Sequence, residues 1–585
     1  MGHLKAPKLR LSRESFGLTN HVYYDQYDPK KGGRQDSRKS MANLDYSPLK
    51  RVTWQSFWMG CLISMGGLIF GYDTGQISGF LEMPDFRERF GQRHDDGTYY
   101  FSNVRSGLIV SLLSIGTLIG ALVAAPVADS IGRRLSVTVW SIIFGIGNIV
   151  MISSDRHWYQ MMMGRWVAGL GVGALSLIVP MYMSETAPRH IRGALISEYQ
   201  LFITLGIFLA ACINFGTYEH QRGNSGSWRI PMGVGFLWPM ILGGGILLFP
   251  DTPRYLYRKG RVEEAKQVML KVYGAPPNHY SVHVELEEIG AQLRAEARKE
   301  GVIREWIHMW SAPKMAYRII LGMALQTFQQ LTGANYFFYY GTTIFRATGI
   351  NNSFVTQMIL NGINFGTTFY GLYIVEHYGR RKSLIVGSCW MFMMFMIFAS
   401  VGHFSLNRDD PPATESSGTA MIVIASFFIF GFATTWGPMI WTIGGELYPS
   451  RYRAKAMALA TAANWLWNFL IAFFTPFITG DIDFLYGYVF AGCNLIGMLL
   501  VYFFVMEGQG RTLEELDAMY ILGVKPWKSS TWVAPPPEEI AAIRRRAGTH
   551  EDVAEAGEAG TNPATAPVRP SEDEASTEKE AEHRE

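Results

Sequence analysis

The sequence predicts an all-α membrane protein: twelve transmembrane helices in two six-helix pseudo-repeats, with a cytoplasmic helical linker between them. Three observations carry this expectation. Apolar runs of about 20 residues, the length that crosses ~30 Å of hydrocarbon as a helix, recur along the chain. Hydrophobic residues make up 48% of the 585 residues and charged residues only 17%, where a soluble domain has about 25% charged. Short motifs of the first half return at matching places in the second, as parallel repeats leave them.

In chain order, residues 1–53 are polar and basic, without the apolar core of a signal peptide, and read as a cytoplasmic tail. Spans are expected near 56–80, 104–128, 135–153, 159–183, 195–216 and 230–249, an N-terminal bundle over 54–249. A second set near 316–345, 354–375, 383–404, 419–443, 455–479 and 485–506 gives a C-terminal bundle over 316–506. Segments 7 and 10 are the least clean, because Gly, Pro or amide residues interrupt them. Between the bundles, 250–315 holds two amphipathic stretches, 261–273 and 284–300, read as linker helices. Residues 507–585 form a second tail, whose end, 550–585, is acidic and has the composition of a disordered segment.

Orientation follows from the short loops. Arg133 and Arg134 (loop 2–3), Arg189 and Arg192 (4–5), Arg380, Arg381 and Lys382 (8–9) and Arg451, Arg453 and Lys455 (10–11) put those loops, and both termini, in the cytoplasm. The 1–2 loop is an exception, with Arg87, Arg89 and Arg93, but it is also acidic. Asn351-Asn352-Ser353 is a glycosylation sequon on the expected outer face. The net charge of +3 offers nucleic acid no footing, and Cys61, Cys212, Cys389 and Cys493 lie in separate apolar runs without disulfide or metal spacing. With no nucleotide loop, catalytic triad or metal cluster in the sequence, no enzyme activity and no cofactor are expected.

The repeat pairs "DSIGRR" (129–134) with "EHYGRR" (376–381), and "ETAPRHIR" (185–192) with "ELYPSRYR" (446–453). Glu185, Pro188 and Arg192 keep the spacing of Glu446, Pro449 and Arg453. Acids and bases thus recur together at cytoplasmic helix ends. The expectation is that Arg133, Arg134, Arg380 and Arg381 pair with Glu185 and Glu446 and latch the two halves together. Inside the apolar runs, two charges stand out. Asp73 lies about 7 residues before the outer end of segment 1 and Arg165 about 6 after the outer start of segment 4, depths of roughly 10 and 9 Å at 1.5 Å per residue. At matched depth in one half they are expected to pair, which lowers the cost of burying either.

The stretches "FGYDTGQISGF", "GRR" twice, "GRWVAGLGVG", "VPMYMSETAPRHIRGAL", "PDTPRYL", "QQLTGANYFFYY", "TTWGPMIWTIGGELYP", "NWLWNF" and "VMEGQGRTLEEL" occur in this order over about residues 54–520. By them the chain resembles the sugar porter family of the major facilitator superfamily, in particular its fungal hexose members. One departure is Val505-Met506 before Glu507, where the family has proline. The resemblance implies the major facilitator fold, a plasma-membrane location and a monosaccharide substrate, with glucose the leading candidate. It implies sugar contacts from Gln200, Gln329, Gln330, Asn335, Asn364, Trp441, Asn464 and Trp465, and an outer aromatic gate from Tyr339 and Tyr340. Amides suit sugar hydroxyls because they both donate and accept hydrogen bonds. Gln326 and Asn468 are left as interhelical glue. In proton-coupled members, the residues matching Asp73 and Arg165 form a proton switch. Fungal facilitators also carry the Asp, so symport and facilitated diffusion both stay open. The rival reading is a transporter-like glucose receptor. Such receptors carry long cytoplasmic tails with short repeats, and this tail shows none.

Overall fold

The computed structural model describes Asp45 and residues 53–543, apart from 189–191, 298–301, 348–351, 408–413, 450–451, 512, 537–538 and 541. The described chain is helical almost throughout. Segment 1 is α1 (Trp54–Phe80), started by a capping box in which Thr53 and Ser56 exchange side-chain and backbone hydrogen bonds. The loop between segments 1 and 2 holds α2 (Pro84–Phe90) and an antiparallel pair, β1 (Gln92–Arg93) with β2 (Tyr99–Tyr100). Segments 2 to 5 are single helices: α3 (Asn103–Ile131), α4 (Arg133–Ile152), α5 (Trp158–Thr186) and α6 (Arg192–His220). Segment 6, read from sequence as one span, is broken into α7 (Gly226–Val234), α8 (Leu237–Gly245) and a short 3-10 turn (Ile246–Leu248). Pro231 and Pro239 each lack a backbone donor, and the chain resets at Gly235–Phe236 between them.

The linker has four helices rather than the two expected: α9 (Pro253–Arg258), α10 (Val262–Tyr273), α11 (Tyr280–Ala297) and α12 (Val302–Ser311). The Tyr273 hydroxyl donates to Glu285 at 2.7 Å and joins α10 to α11, while Thr53 Oγ1 donates to the Val272 carbonyl at 2.8 Å and ties the linker to α1. At the exposed start of α10, Arg261 hydrogen-bonds Glu264 and holds its carboxyl below the usual carboxylate range.

In the second half, segment 7 is split into α13 (Met315–Leu331) and α14 (Ala334–Ala347). Segments 8 and 9 are α15 (Ser353–His377) and α16 (Arg380–Phe404). Segment 10 is α17 (Glu415–Thr434) and α18 (Trp436–Leu447), and α19 (Arg453–Ile482) and α20 (Tyr486–Phe504) follow. A helix after the last span, α21 (Leu513–Ile521), docks beneath segment 7 through a buried Arg318–Asp517 ion pair of 2.7 Å, with Arg318 also over the Tyr520 ring.

Eight described stretches are long and apolar enough to cross a membrane, one of them, Lys455–Phe504, holding both α19 and α20. Segments 1, 7 and 8 fall outside that set. These three carry Asp73 and Gln76, the segment-7 amides, and Gln357, Asn361 and Asn364, all but Asn335 fully buried. The helices that look least like lipid-soluble spans are those that turn polar groups inward. With them the crossings number twelve.

The halves repeat in detail. Gly132 and Gly379 have φ of +95° and +84°, which L side chains rarely adopt, and each turns the chain from one span into the next. The helix beginning there is capped by an acid from beyond the sixth span of its half. Asp251 accepts from Arg133 N at 3.1 Å, and Glu507 from Arg380 N at 2.9 Å and Arg381 N at 3.1 Å. A negative charge at a helix N-terminus meets unpaired N–H groups and the positive end of the macrodipole. Glu507 is thus held by a structural requirement even though its neighbours depart from the family pattern.

Candidate functional site

The site begins where segment 7 breaks. Gly333, with φ of +90°, separates α13 from α14, and a Cβ there would lie 2.8 Å from Phe395 and Phe490. The break leaves Gln326, Gln329 and Gln330 on the last turns of α13 and Asn335 at the start of α14, all turned toward α19. Asn464 Nδ2 donates to Gln326 Oε1 at 2.7 Å and to Gln329 Oε1 at 2.8 Å, while Asn464 Oδ1 accepts from Gln330 Nε2 at 2.9 Å. Gln330 Oε1 accepts from Asn335 Nδ2 and, at 3.2 Å, from Asn468 Nδ2. Gln329 Nε2 donates to the carbonyls of Trp436 (3.0 Å) and Gly437 (3.1 Å), exposed by the break in segment 10. Two discontinuous segments and one continuous helix therefore meet in a neutral amide cluster. Every member can exchange a protein partner for a hydroxyl without leaving a charge unpaired.

The cluster reaches the first half. Asn468 Oδ1 accepts from Tyr339 at 3.0 Å and from Ser114 Oγ of α3 at 2.6 Å. Gln326 and Asn468, left as glue from sequence, belong to the same cluster as Gln329, Gln330, Asn335 and Asn464. Asn468 is four residues from Asn464 and so shares its helix face, a signal that spacing carries. Ser114 gives no such signal, since a serine in an apolar helix is ordinary.

The other expected residues are placed around this centre. Trp465 is buried, its ring edge-on to Phe70 of α1 at 5.3 Å. Tyr340 donates to the Ala472 carbonyl at 2.6 Å. Asn364 is buried on α15, and Gln200 on α6 and Trp441 on α18 are half-buried. Among the described residues, no side-chain hydrogen bond joins these three to the amide cluster.

Asp73 and Arg165 meet as spacing suggests. Arg165 Nη1 stands 3.7 Å from Asp73 Oδ2, and the side chains are 1% and 0% exposed. Asp73 Oδ1 accepts from Gln76 Nε2 at 3.0 Å, whereas Asp73 Oδ2 and Arg165 Nε and Nη2 find no hydrogen-bond partner in the protein. The contact is longer than a charge-assisted hydrogen bond of about 2.7–2.9 Å. Two buried ions held this loosely leave much of their desolvation cost unrecovered.

The expected latch has a different arrangement. Arg133 binds Glu185 at 3.1 Å and Asp129 at 3.0 Å, all within the first half. Arg380 binds Glu446 at 2.8 Å, within the second. Arg134 donates to the Phe249 carbonyl, Arg381 to that of Tyr502 and Arg453 to that of Tyr448, each inside its own half. The Arg192 side chain lies outside the described residues. Acid and base sit on adjacent spans of one bundle, so the shortest pairing is internal. Among the described residues, the polar bridges that do cross between halves lie instead in the amide cluster, at Ser114–Asn468, and at the opposite end of the bundles.

The profile described as "Sugar (and other) transporter" matches residues 59–520. The chain is 46% identical over 475 residues to the low-affinity glucose transporter HXT1 of Saccharomyces cerevisiae, covering 81% of this chain and 83% of that protein. It is 46% identical over 497 residues to the high-affinity hexose transporter HXT7 of the same yeast, covering 84% and 86%. To the high-affinity fructose transporter ght6 of Schizosaccharomyces pombe it is 45% identical over 472 residues, covering 80% and 88%. Among solved structures, the Escherichia coli xylose transporter XylE in a partially occluded inward-open conformation superposes with a TM-score of 0.64 at 24% identity, over 78% of this chain and 99% of that one. The same carrier, described as a proton:xylose symporter of the major facilitator superfamily and bound to 6-bromo-6-deoxy-D-glucose, gives 0.66 at 24%, over 80% and 99%. At that identity the likeness speaks for the fold, the twelve-helix major facilitator architecture.

Proposed function

The chain belongs to the sugar transporter family, and from that premise we propose that it carries hexoses, glucose foremost, into the cell across the plasma membrane by alternating access. The observation that carries this reading is the amide cluster built on the segment-7 break, with Gln329, Gln330, Asn335 and Asn464 in mutual hydrogen bonds. Hydroxyls of a sugar can replace these bonds one for one, so binding is specific without the tight affinity that would stall release. Trp441, Trp465, Gln200 and Asn364 complete the proposed contacts, and Tyr339 and Tyr340 the outer gate. The arginine-rich loops support cytoplasmic termini. The loosely held Asp73–Arg165 pair supports proton coupling: protonation of Asp73 frees Arg165 and lowers the cost of moving segments 1 and 4.

The named relatives are transporters, and the tail lacks the repeats of a receptor, so the receptor reading is the weaker one. Expression in a yeast without hexose carriers tests both. Saturable uptake of labelled glucose, competed by other hexoses and measured with and without a protonophore, is the expected result. A chain that reaches the plasma membrane and restores glucose-dependent signalling but no uptake would be a receptor instead.

A further inference from the structure

We propose that Glu82 is a positioning residue of the outer gate: its carboxylate ties the first half to the second by binding Thr343 and Arg346, and thereby sets how often the outer mouth opens. The inference rests on the transport reading above. Glu82 lies just past the C-terminal end of α1 and is 6% exposed. Its Oε1 accepts from Thr343 Oγ1 at 2.9 Å and its Oε2 from Arg346 Nη1 at 2.6 Å, both on α14 of the other half. Arg87 of α2 binds Oε2 at 2.9 Å and also donates to the Leu81 carbonyl at 3.2 Å, which orients the acid.

The end of α1 does not account for an acid here. A helix C-terminus is the negative end of the macrodipole, and carboxylates beside it are disfavoured. The compensation comes from across the boundary. One turn inward, Ser78 Oγ and Thr342 Oγ1 are 2.9 Å apart, and Thr342 N donates to Ser78 Oγ at 3.2 Å. Ser78 and Glu82 are four residues apart on one side, and Thr342 and Arg346 on the other, so the two pairs stack along the same seam. Further round the mouth, Asn352 Nδ2 donates to Glu219 Oε1 at 3.1 Å, again between halves. Of these bridges, the Glu82–Arg346 pair alone joins opposite charges. Any passage to an outward-open state has to part it.

The test uses the full-length chain with a reporter behind the gate. Ser111 of α3 is 0% exposed and lies on one helix face between Gly107, whose Cβ position is 2.8 Å from the Phe473 carbonyl of α19, and Ser114, which binds Asn468. Opening the mouth uncovers it. Labelling of Ser111→Cys by a membrane-impermeant thiol reagent, corrected for the native cysteines, is compared with and without Glu82→Gln. The Arg346 side chain is 59% exposed, which screens the pair and moderates the effect. We expect labelling to rise about threefold or more, and the KM for external hexose to fall as the outward-facing fraction grows. Arg346→Gln, at an exposed position that folding tolerates, should act in the same direction, and the double variant should add little to either. A merely structural Glu82 would lower the amount of carrier and its maximal rate but leave KM and per-molecule labelling unchanged, and that result overturns the proposal. Fully additive single variants overturn it as well. If the parent chain moves no sugar at all, the transport reading fails, while the labelling comparison still decides whether Glu82 holds the gate.

Discussion

Asn464 is the side chain on which the amide cluster turns, since it serves Gln326, Gln329 and Gln330 at once. Asn464→Ala leaves three buried amides short of a partner, and an unsatisfied buried polar group costs about 1–3 kcal/mol. Hexose kcat/KM should therefore fall by about 10- to 100-fold with surface expression retained, as labelled-sugar uptake and cell-surface quantification will show. Parent-like uptake would remove the cluster from the transport path. Asp73 makes a different prediction. Asp73→Asn keeps the hydrogen bonding to Gln76 but removes the carboxyl group, so sugar exchange down its gradient should persist while accumulation against a gradient disappears. Accumulation that survives and still collapses with a protonophore would assign the pair to packing alone. At this scale much was legible. Gln329, Gln330 and Asn335 are adjacent in sequence and polar in an apolar run, and Asp73 and Arg165 declare themselves by charge. What could not be read was membership through space. Ser114 enters the site from the other half of the molecule and carries no mark of its own, while Gln326 shares a helix face with Gln330 but shows its membership only by facing Asn464.

The elements that bear the site are the interrupted ones, because only a broken helix frees backbone carbonyls and re-aims side chains within a membrane without exposing them to lipid. Segment 7 shows this most clearly. The "LTGAN" stretch announces a break, and Gly333 supplies it with a φ of +90° inside a ring of Phe395 and Phe490. Gly333→Ala forces a Cβ into a backbone region costing roughly 1–2 kcal/mol and against side chains 2.8 Å away. Overpacking of that kind adds about 1–3 kcal/mol. The carrier in detergent should melt several degrees lower, and uptake should fall even where folded protein is recovered. An unchanged melting temperature would mean that the kink is set elsewhere. Segment 10 breaks at Thr435, next to Gly437-Pro438, and was among the less clean runs for that reason. The break in segment 6 was not visible, since Pro231 and Pro239 sit in a run whose hydropathy reads as continuous and either alone is tolerated in a membrane helix. The four linker helices likewise exceed the two that amphipathicity marks, because a six-residue helix such as α9 is too short to show a period.

At the scale of the whole molecule, the question is which contacts belong to one state of the cycle and which to all of them. The Arg133–Glu185 and Arg380–Glu446 pairs, the Asp251 and Glu507 caps, and the glycine seam between α1 and α6 lie inside a half. At Gly71, for example, a Cβ would stand 1.9 Å from the Ile203 carbonyl of α6. Such contacts make each bundle a rigid body, which is what the repeated motifs of the sequence record. The contacts between bundles run α1 to α14, α3 to α19 and α6 to α15, and among the described residues their polar bridges gather at the outer mouth and the amide cluster. Sequence motifs marked charged residues at the helix ends and said nothing of Glu82, Thr342 or Arg346; Ser78 falls inside "FGYDTGQISGF" but carries no sign there of its partner in the other half. The end that the loop charges assign to the outside is thus held shut by these bridges, and the seam is a place to arrest the proposed cycle. Ser78 and Thr342, whose hydroxyl oxygens are 2.9 Å apart, are the pair to replace by cysteines, whose disulfide forms when the Cβ atoms come to about 3.5–4.5 Å. With both cysteines in place, mild oxidation should abolish hexose uptake and a reductant should restore it, while each single cysteine variant transports under both conditions. Uptake that continues with the crosslink complete would show that the outer seam does not open during transport, and alternating access through this mouth would have to be abandoned.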